Sequence, residues 1–209
     1  GNVDGLIVHG PQRVDSRIDF LADLGIPFVV HGRASDMTAD YSWIDMNNRR
    51  AFRRATQFLI DLGHRRIALI NGIEAMDFAY RRREGYRAAL ENAGLTPDPA
   101  LLFSGEMTEE LGYNAMRQML AAPAPPTAVV TSSIVTAIGV RHALDEAGLV
   151  SLDERVPESV LDLDGARQPT WRELASHQTG LPPNAYDNLI EAGRDAHTVR
   201  DRLAEVPLL

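Results

Sequence analysis

The amino-acid sequence predicts an α/β fold, a parallel sheet covered by helices. Short apolar runs of strand length alternate with segments of helical periodicity through residue 149, the pattern that repeated βα units produce. Glycine follows the helical segments at Leu24-Gly25-Ile26, Leu62-Gly63-His64, Ala93-Gly94-Leu95 and Ala147-Gly148-Leu149, where a helix leaves through the left-handed conformation. A composition of 44% hydrophobic and 24% charged residues over 209 positions suffices for one sizeable core or two small ones.

The elements follow in order. Val3–Val8, Pro27–His31, Ile67–Asn71, Leu101–Phe103 and Thr127–Thr131 are short and mostly apolar, as strands buried on both faces tend to be. Helices are expected over 49–62, with Phe52, Ala55, Phe58/Leu59 and Leu62 on one stripe, and over 79–93, with Tyr86, Ala89/Leu90 and Ala93. Two more are expected over 109–120 (Leu111, Ala115, Met116, Met119) and 134–147 (Ala137, Val140, Leu144). The rhythm stops after Leu149. The best later strand is Ser159–Leu163, which alternates rather than runs apolar, and helical stretches are expected only near 170–176 and 197–205.

Composition removes several functions. With no cysteine there is no thiol nucleophile, disulfide scaffold or cysteine-bound metal. All 21 basic residues are Arg, so a Walker A loop, a Schiff-base lysine and a Ser-x-x-Lys hydrolase site are excluded. A net charge of -8 does not suit a surface that tracks phosphates. No apolar run reaches the roughly 18 residues of a membrane span, and the N-terminus lacks a secretory pattern. The expectation is a cytoplasmic protein with no membrane partner, no metal and no cofactor.

VDGLIV at 3–8, GIPFVVHGR at 25–33, LGHRRIALING at 62–72, RREGYRAALENAGL at 82–95, GYNAMRQML at 112–120 and PTAVVTSS at 126–133 stand in an order that resembles the effector-binding core of the LacI/GalR family of bacterial transcriptional repressors. The resemblance implies an incomplete periplasmic-binding-protein-like fold closing over a small effector of the sugar or nucleobase class, in a homodimer. It divides the chain into a partial N-terminal α/β subdomain at 1–48, a second α/β subdomain with a crossover helix at 49–149, and a remainder at 150–209. The family's helix-turn-helix has no counterpart in the sequence, so no direct contact with nucleic acid is expected.

A sugar cleft needs bidentate side chains and carboxylates at the carboxyl ends of strands, with a flat or soft face under the ring. The resemblance places the ligand-gripping arginine at Arg82, in the pattern Arg82-x-x-Gly85-Tyr86, and the face under the ligand at Met107. The competing reading of Arg81-Arg82-Arg83 is a solvated helix face. Asp45, Ser132, Ser133 and His9 complete the candidate ligand-binding set, with His31 ending the strand beside that of His9. Relatives have Asp-Asn where this chain has Asn47-Asn48, and both Asn are read as helix caps; Ser132 and Ser133 have the same alternative. Ile134 stands where relatives carry Asp or Asn and removes a hydrogen-bonding group from the expected ligand wall. Arg49, Arg50, Arg53 and Arg54 are read as an exposed charged face, and His64-Arg65-Arg66 as a cluster at a helix C-terminus.

From residue 150 the sequence resembles serine beta-lactamase-like hydrolases of the penicillin-binding-protein fold, in SLDERV at 151–156 and TWRELASHQTGLP at 170–182. The stretch corresponding to the nucleophile, Ser132-Ser133-Ile134-Val135-Thr136, has no lysine. No catalytic residue and no enzyme activity are therefore expected. Three origins compete: a chimera of two gene fragments, a divergent family member whose 155–164 replaces the usual strand, and a sequence altered by truncation or error. The first is favoured, and it predicts a C-terminal appendage, mostly helical or irregular, outside the parallel sheet.

Overall fold

A computed structural model of the chain describes residues 3–151, 153–156 and 168–171. It is α/β throughout, with two parallel sheets of three strands each. In the first, β1 (Leu6–His9) pairs with β2 (Phe28–His31), which pairs with β3 (Trp43–Ile44). Helix α1 (Ser16–Asp23) joins β1 to β2, capped by Asp15, whose carboxylate accepts from the Arg17 amide. Val8, Ile18, Leu21, Val30 and Ala34 form the core of this unit.

Helix α2 (Asn48–Asp61) leads to the second sheet, which follows as β4 (Ile67–Asn71), α3 (Asp77–Asn92), β5 (Leu102–Ser104), α4 (Glu109–Leu120), β6 (Ala128–Thr131) and α5 (Ile134–Glu146). The strand order is β5-β4-β6. β4 is central and buried along its whole length, and its side chains divide between two cores as the period of two requires. Ala68 and Ile70 pack with Met116, Met119, Val140 and Ala143 of α4 and α5. Ile67 and Leu69 pack with Ile60 of α2 and with Tyr86, Ala89 and Leu90 of α3. The Tyr86 hydroxyl donates to the Ile67 carbonyl at 2.7 Å, which pins α3 to the first residue of β4.

Four of the expected helices and five of the expected strands are present, most with ends shifted by one or two residues. Gly25, Gly63, Gly94 and Gly148 all have φ between +65° and +95°, as the helix-exit reading requires. Arg65 Nη1 donates to the Ile60 carbonyl in the last turn of α2 at 3.0 Å, so that cluster does satisfy a helix end. Helix α1 gives a range to the helical segment expected to end at Gly25, and the two-residue β3 is an addition to the sequence reading.

One correction concerns α2. Its buried positions are Asn48, Thr56 and Ile60, while Phe58 and Leu62 are exposed. The stripe is rotated because Thr56 turns inward, its hydroxyl donating to the Phe52 carbonyl at 2.8 Å. That bond removes the cost of burying a polar group.

Beyond α5, Arg155 and Thr170 form an isolated antiparallel bridge, with the Val156 amide donating to the Pro169 carbonyl at 2.8 Å and Val156 buried. The expected strand at 159–163, the helix at 197–205 and most of the one at 170–176 lie outside the described residues.

The α4–α5 crossing is made by two glycines. A Cβ on Gly139 would stand 1.9 Å from the Glu109 carbonyl oxygen, and one on Gly112 would stand 2.0 Å from that of Thr136. Neither obstacle is a side chain that can swing away. Gly139→Ala is therefore expected to force the helices apart and cost at least about 2 kcal/mol, seen in urea unfolding as a lower midpoint at unchanged slope.

Candidate functional site

The two units face each other across a cleft of about 180 Å³. One wall comes from the carboxyl ends of the first sheet's strands: His9 ending β1 with Gly10 and Pro11 after it, His31 ending β2 with Gly32 and Arg33 after it, and Asp45 and Met46 after β3. The other comes from Asn48 of α2, Phe78 and Arg82 of α3, and Met107 in the loop after β5. This is where parallel sheets present ligand-binding groups. The volume is below the roughly 300 Å³ at which sites for drug-sized ligands begin, and suits one small ring.

Arg82 is the best-anchored group of the cleft. Its Nε donates to Asn48 Oδ1 at 2.9 Å, and its Nη1 donates to the Ser132 carbonyl at 3.0 Å. The guanidinium carbon lies 5.0 Å from the Phe52 ring centre and 4.8 Å from that of Phe78, so aromatic faces stabilise a charge removed from water. Burial pushes the Arg82 pKa down, and the Asp45 charge partly offsets this. Nη2 has no protein hydrogen bond among the described residues. The guanidinium is thus a fork held at two of its three nitrogens.

Asn48 carries the relay further, its Nδ2 donating to Asp45 Oδ1 at 3.1 Å and to the Met46 carbonyl at 3.2 Å. The Asp45 carboxyl is pushed up by burial, against the lowering effects of the Met46 amide, Arg81 and His31, with Asp77 adding repulsion. His9 and His31 are register partners on β1 and β2. Their rings meet edge to face with centres 4.5 Å apart, a semi-apolar surface on the same wall as Asp45. Arg33 lies 4.9 Å from the Trp43 ring centre at the rim. Among the described residues no group of three His, Asp or Glu side chains has metal-holding geometry.

The structure thus brings Arg82, Met107, Asp45 and His9 together and leaves the two serines at the edge. Ser132 contributes its carbonyl to Arg82, while its buried hydroxyl has no partner. Ser133 is the N-cap of α5, accepting from the Thr136 amide at 3.1 Å, so its oxygen is engaged away from the cleft. Asn48 corrects the sequence reading. Asn47 alone caps α2, accepting from the Arg50 amide at 3.0 Å, whereas Asn48 is 4% exposed and belongs to the cleft. The three consecutive arginines are not a solvated face: Arg81 pairs with buried Asp77 at 2.7 Å, Arg82 lines the cleft, and Arg83 pairs with Glu74. Phe78, Met46 and Pro11 were not legible, because nothing in their local sequence sets them apart from packing residues. Ile134 is exposed on α5 and is not among the residues that line the cleft.

Two substitutions separate structure from site. Removing buried Asn48, the acceptor of a half-buried guanidinium, leaves a charged donor without that bond, so Asn48→Ala is expected to cost about 2 kcal/mol. The Asp45 carboxyl is raised in the fold, so its stabilising contribution is complete below its ordinary pKa of 3.8 and is lost as pH rises through the raised value. Ionised Asp45 therefore costs stability near neutrality. Asp45→Asn should melt at the same or a higher temperature than the parent at pH 7, an advantage that disappears below about pH 4. Thermal melts of the variants from pH 3 to 8 check both.

The family model for periplasmic binding proteins and the sugar-binding domain of the LacI family matches residues 1–179. The match continues through SLDERV and into TWRELASHQTG, so the resemblance of this region to serine hydrolases finds no support in it. The chain is 48% identical over 149 residues to the HTH-type transcriptional regulator AglR of Rhizobium meliloti, covering 71% of this chain and 42% of that protein. It is 35% identical over 160 residues to the HTH-type transcriptional regulator CelR of Thermobifida fusca, covering 76% and 46%. Among solved structures, a regulatory protein of the LacI family from Chloroflexus aggregans superposes with a TM-score of 0.66 at 34% identity, over 71% of this chain and 53% of that one. A transcriptional regulator CelR–cellobiose complex superposes with a TM-score of 0.63 at 35% identity, over 77% and 48%. The chain spans about half the length of the curated relatives it matches.

Proposed function

Because the chain belongs to the family of periplasmic binding proteins and LacI-type sugar-binding domains, we propose that its cleft binds a small sugar-like effector as the sensing part of a transcriptional regulator. The observation that carries this reading is Arg82, a half-buried guanidinium that lines the cleft, held by two hydrogen bonds through Nε and Nη1, with Nη2 making none among the described residues. A ring hydroxyl there would receive a charge-assisted hydrogen bond at little entropic cost, because the donor is already ordered. Asp45 accepts hydrogen bonds from ring hydroxyls on the opposite wall, and Met107, Phe78 and the His9–His31 pair supply apolar faces for the ring's carbon side.

In this reading the units of the first and second sheets, divided near residue 48, act as two lobes. Arg82, Asp45, His9 and Met107 touch the ligand, Asn48 orients both Arg82 and Asp45, and Ser132 acts through its carbonyl. The relative solved with cellobiose supports the sugar class. The flat imidazole and phenyl faces also admit a nucleobase, so both classes belong in the test. No bond is broken: the cleft binds, and the consequence is a change in the balance between open and closed lobes, passed in a dimer to DNA-reading parts beyond this chain.

Thermal-shift and calorimetric titrations with mono- and disaccharides, cellobiose among them, and with nucleosides test the proposal. At least one sugar is expected to raise the melting temperature by several degrees at a hundredfold excess over Kd. Arg82→Lys keeps the charge and loses the fork, and should weaken that sugar about tenfold or more. An equal rise in the parent and the variant, or no response to any sugar, overturns the assignment.

A further inference from the structure

The two units are joined covalently at residues 45–47, the one crossing among the described residues. A second connection is not covalent. Asp77, the first residue of α3, is 1% exposed, and its partners come from both units. Its Oδ1 accepts from the Ser35 amide at 3.1 Å and from the Ser35 hydroxyl, both in the loop after β2. Its amide donates to the Pro11 carbonyl at 3.1 Å, in the loop after β1. Gln12 and Met76 form an antiparallel bridge beside it, and the Arg13 guanidinium sits 4.1 Å from the Tyr80 ring centre. Within its own helix Asp77 has the Arg81 guanidinium at 2.7 Å and the positive end of the helix dipole.

We propose that Asp77 and Ser35 form a clasp that holds the two units together at the side of the cleft and so sets the spacing between Arg82 and the His9–Asp45 wall. Pro11 and Gly32, which line the cleft, stand one residue from Gln12 and three from Ser35, so the clasp and the cleft share two loops. Its energetics suit a reversible contact. A carboxylate at 1% exposure requires partners, and both Ser35 donors are lost together when the units part. Arg81 and the helix end remain, and water replaces the serine. The closed arrangement is thus favoured by a modest margin, which a ligand bridging both walls can enlarge. The clasp's place in effector binding rests on the reading of the cleft given above, whereas the clasp itself does not.

The bland alternative is that Asp77 merely starts α3. Ser35 separates the two, since it touches no residue of the helix except Asp77 by hydrogen bond. The chain has no cysteine, so Asp19→Cys on α1 and Glu91→Cys on α3, both exposed, give a spin-label pair across the units in the full chain. Electron–electron resonance distances are recorded for the parent pair and with Ser35→Ala, Ser35→Thr or Asp77→Ala. Ser35→Ala should raise the ratio of the long-distance to the short-distance population about tenfold, the effect of losing a charge-assisted hydrogen bond, while helical circular dichroism stays that of the parent. Ser35→Thr, which keeps the hydroxyl, should restore the parent distribution, and Asp77→Ala should shift it further. A Ser35→Ala distribution identical to the parent's overturns the clasp, whatever Asp77→Ala does. The mono- and disaccharides of the titrations above, added to the same samples, read the cleft separately: failure of all of them to shift any distribution counts against the sugar reading and leaves the clasp result standing.

Discussion

A guanidinium taken partly out of water needs acceptors, and much of the cleft follows from how Arg82 meets that demand. Asn48 supplies one acceptor and the Ser132 carbonyl another, from a different helix start and a different strand end. Asn48 can face Arg82 only because α2 and α3 lie almost in contact. Gly85 permits this: a Cβ there would stand 2.1 Å from the Arg49 carbonyl oxygen. The Arg-x-x-Gly-Tyr string is thus one device in three parts, with Arg82 carrying the charge, Gly85 admitting the neighbouring helix, and Tyr86 fastening α3 to β4.

The same constraint couples site to stability in opposite directions. Asn48 serves both, since it satisfies Arg82 and holds Asp45. Asp45 does not stabilise the fold in the same way, because burial works against its ionised form. The cleft holds this group at a cost to folding, and the buried β4 core and the close-packed helix pairs offset it.

The layered fold was legible because it rests on local signals: apolar runs fix β4, and glycines at left-handed positions end the helices at Gly25, Gly63, Gly94 and Gly148. The exit of α1 at Gly25 was legible but its range was not, because only Ile18 and Leu21 of its eight residues are buried, too sparse for a periodic stripe, and Phe20 faces out. β3 is two residues long and exists only through pairing with β2. Of the residues that line the cleft, Arg82, Met107, Asp45 and His9 were picked out by strand ends and by the resemblance to a family. Asn48 was not, because Asn at a helix start reads equally as a cap, and only the approach of α3 distinguishes it from Asn47. Ser133 went the other way, its hydroxyl taken by the helix it begins.

Nitrogen-15 magnetic resonance of the arginine side chains, with Arg82 assigned through Arg82→Lys, addresses the central claim most directly. Before any ligand is added, Arg82 should show a sharp Nε–Hε signal exchanging with water far more slowly than that of exposed Arg33, and a bound sugar should bring its Nη protons into view. An Arg82 signal that exchanges as fast as that of Arg33, and stays unmoved by every sugar that binds, would contradict the account.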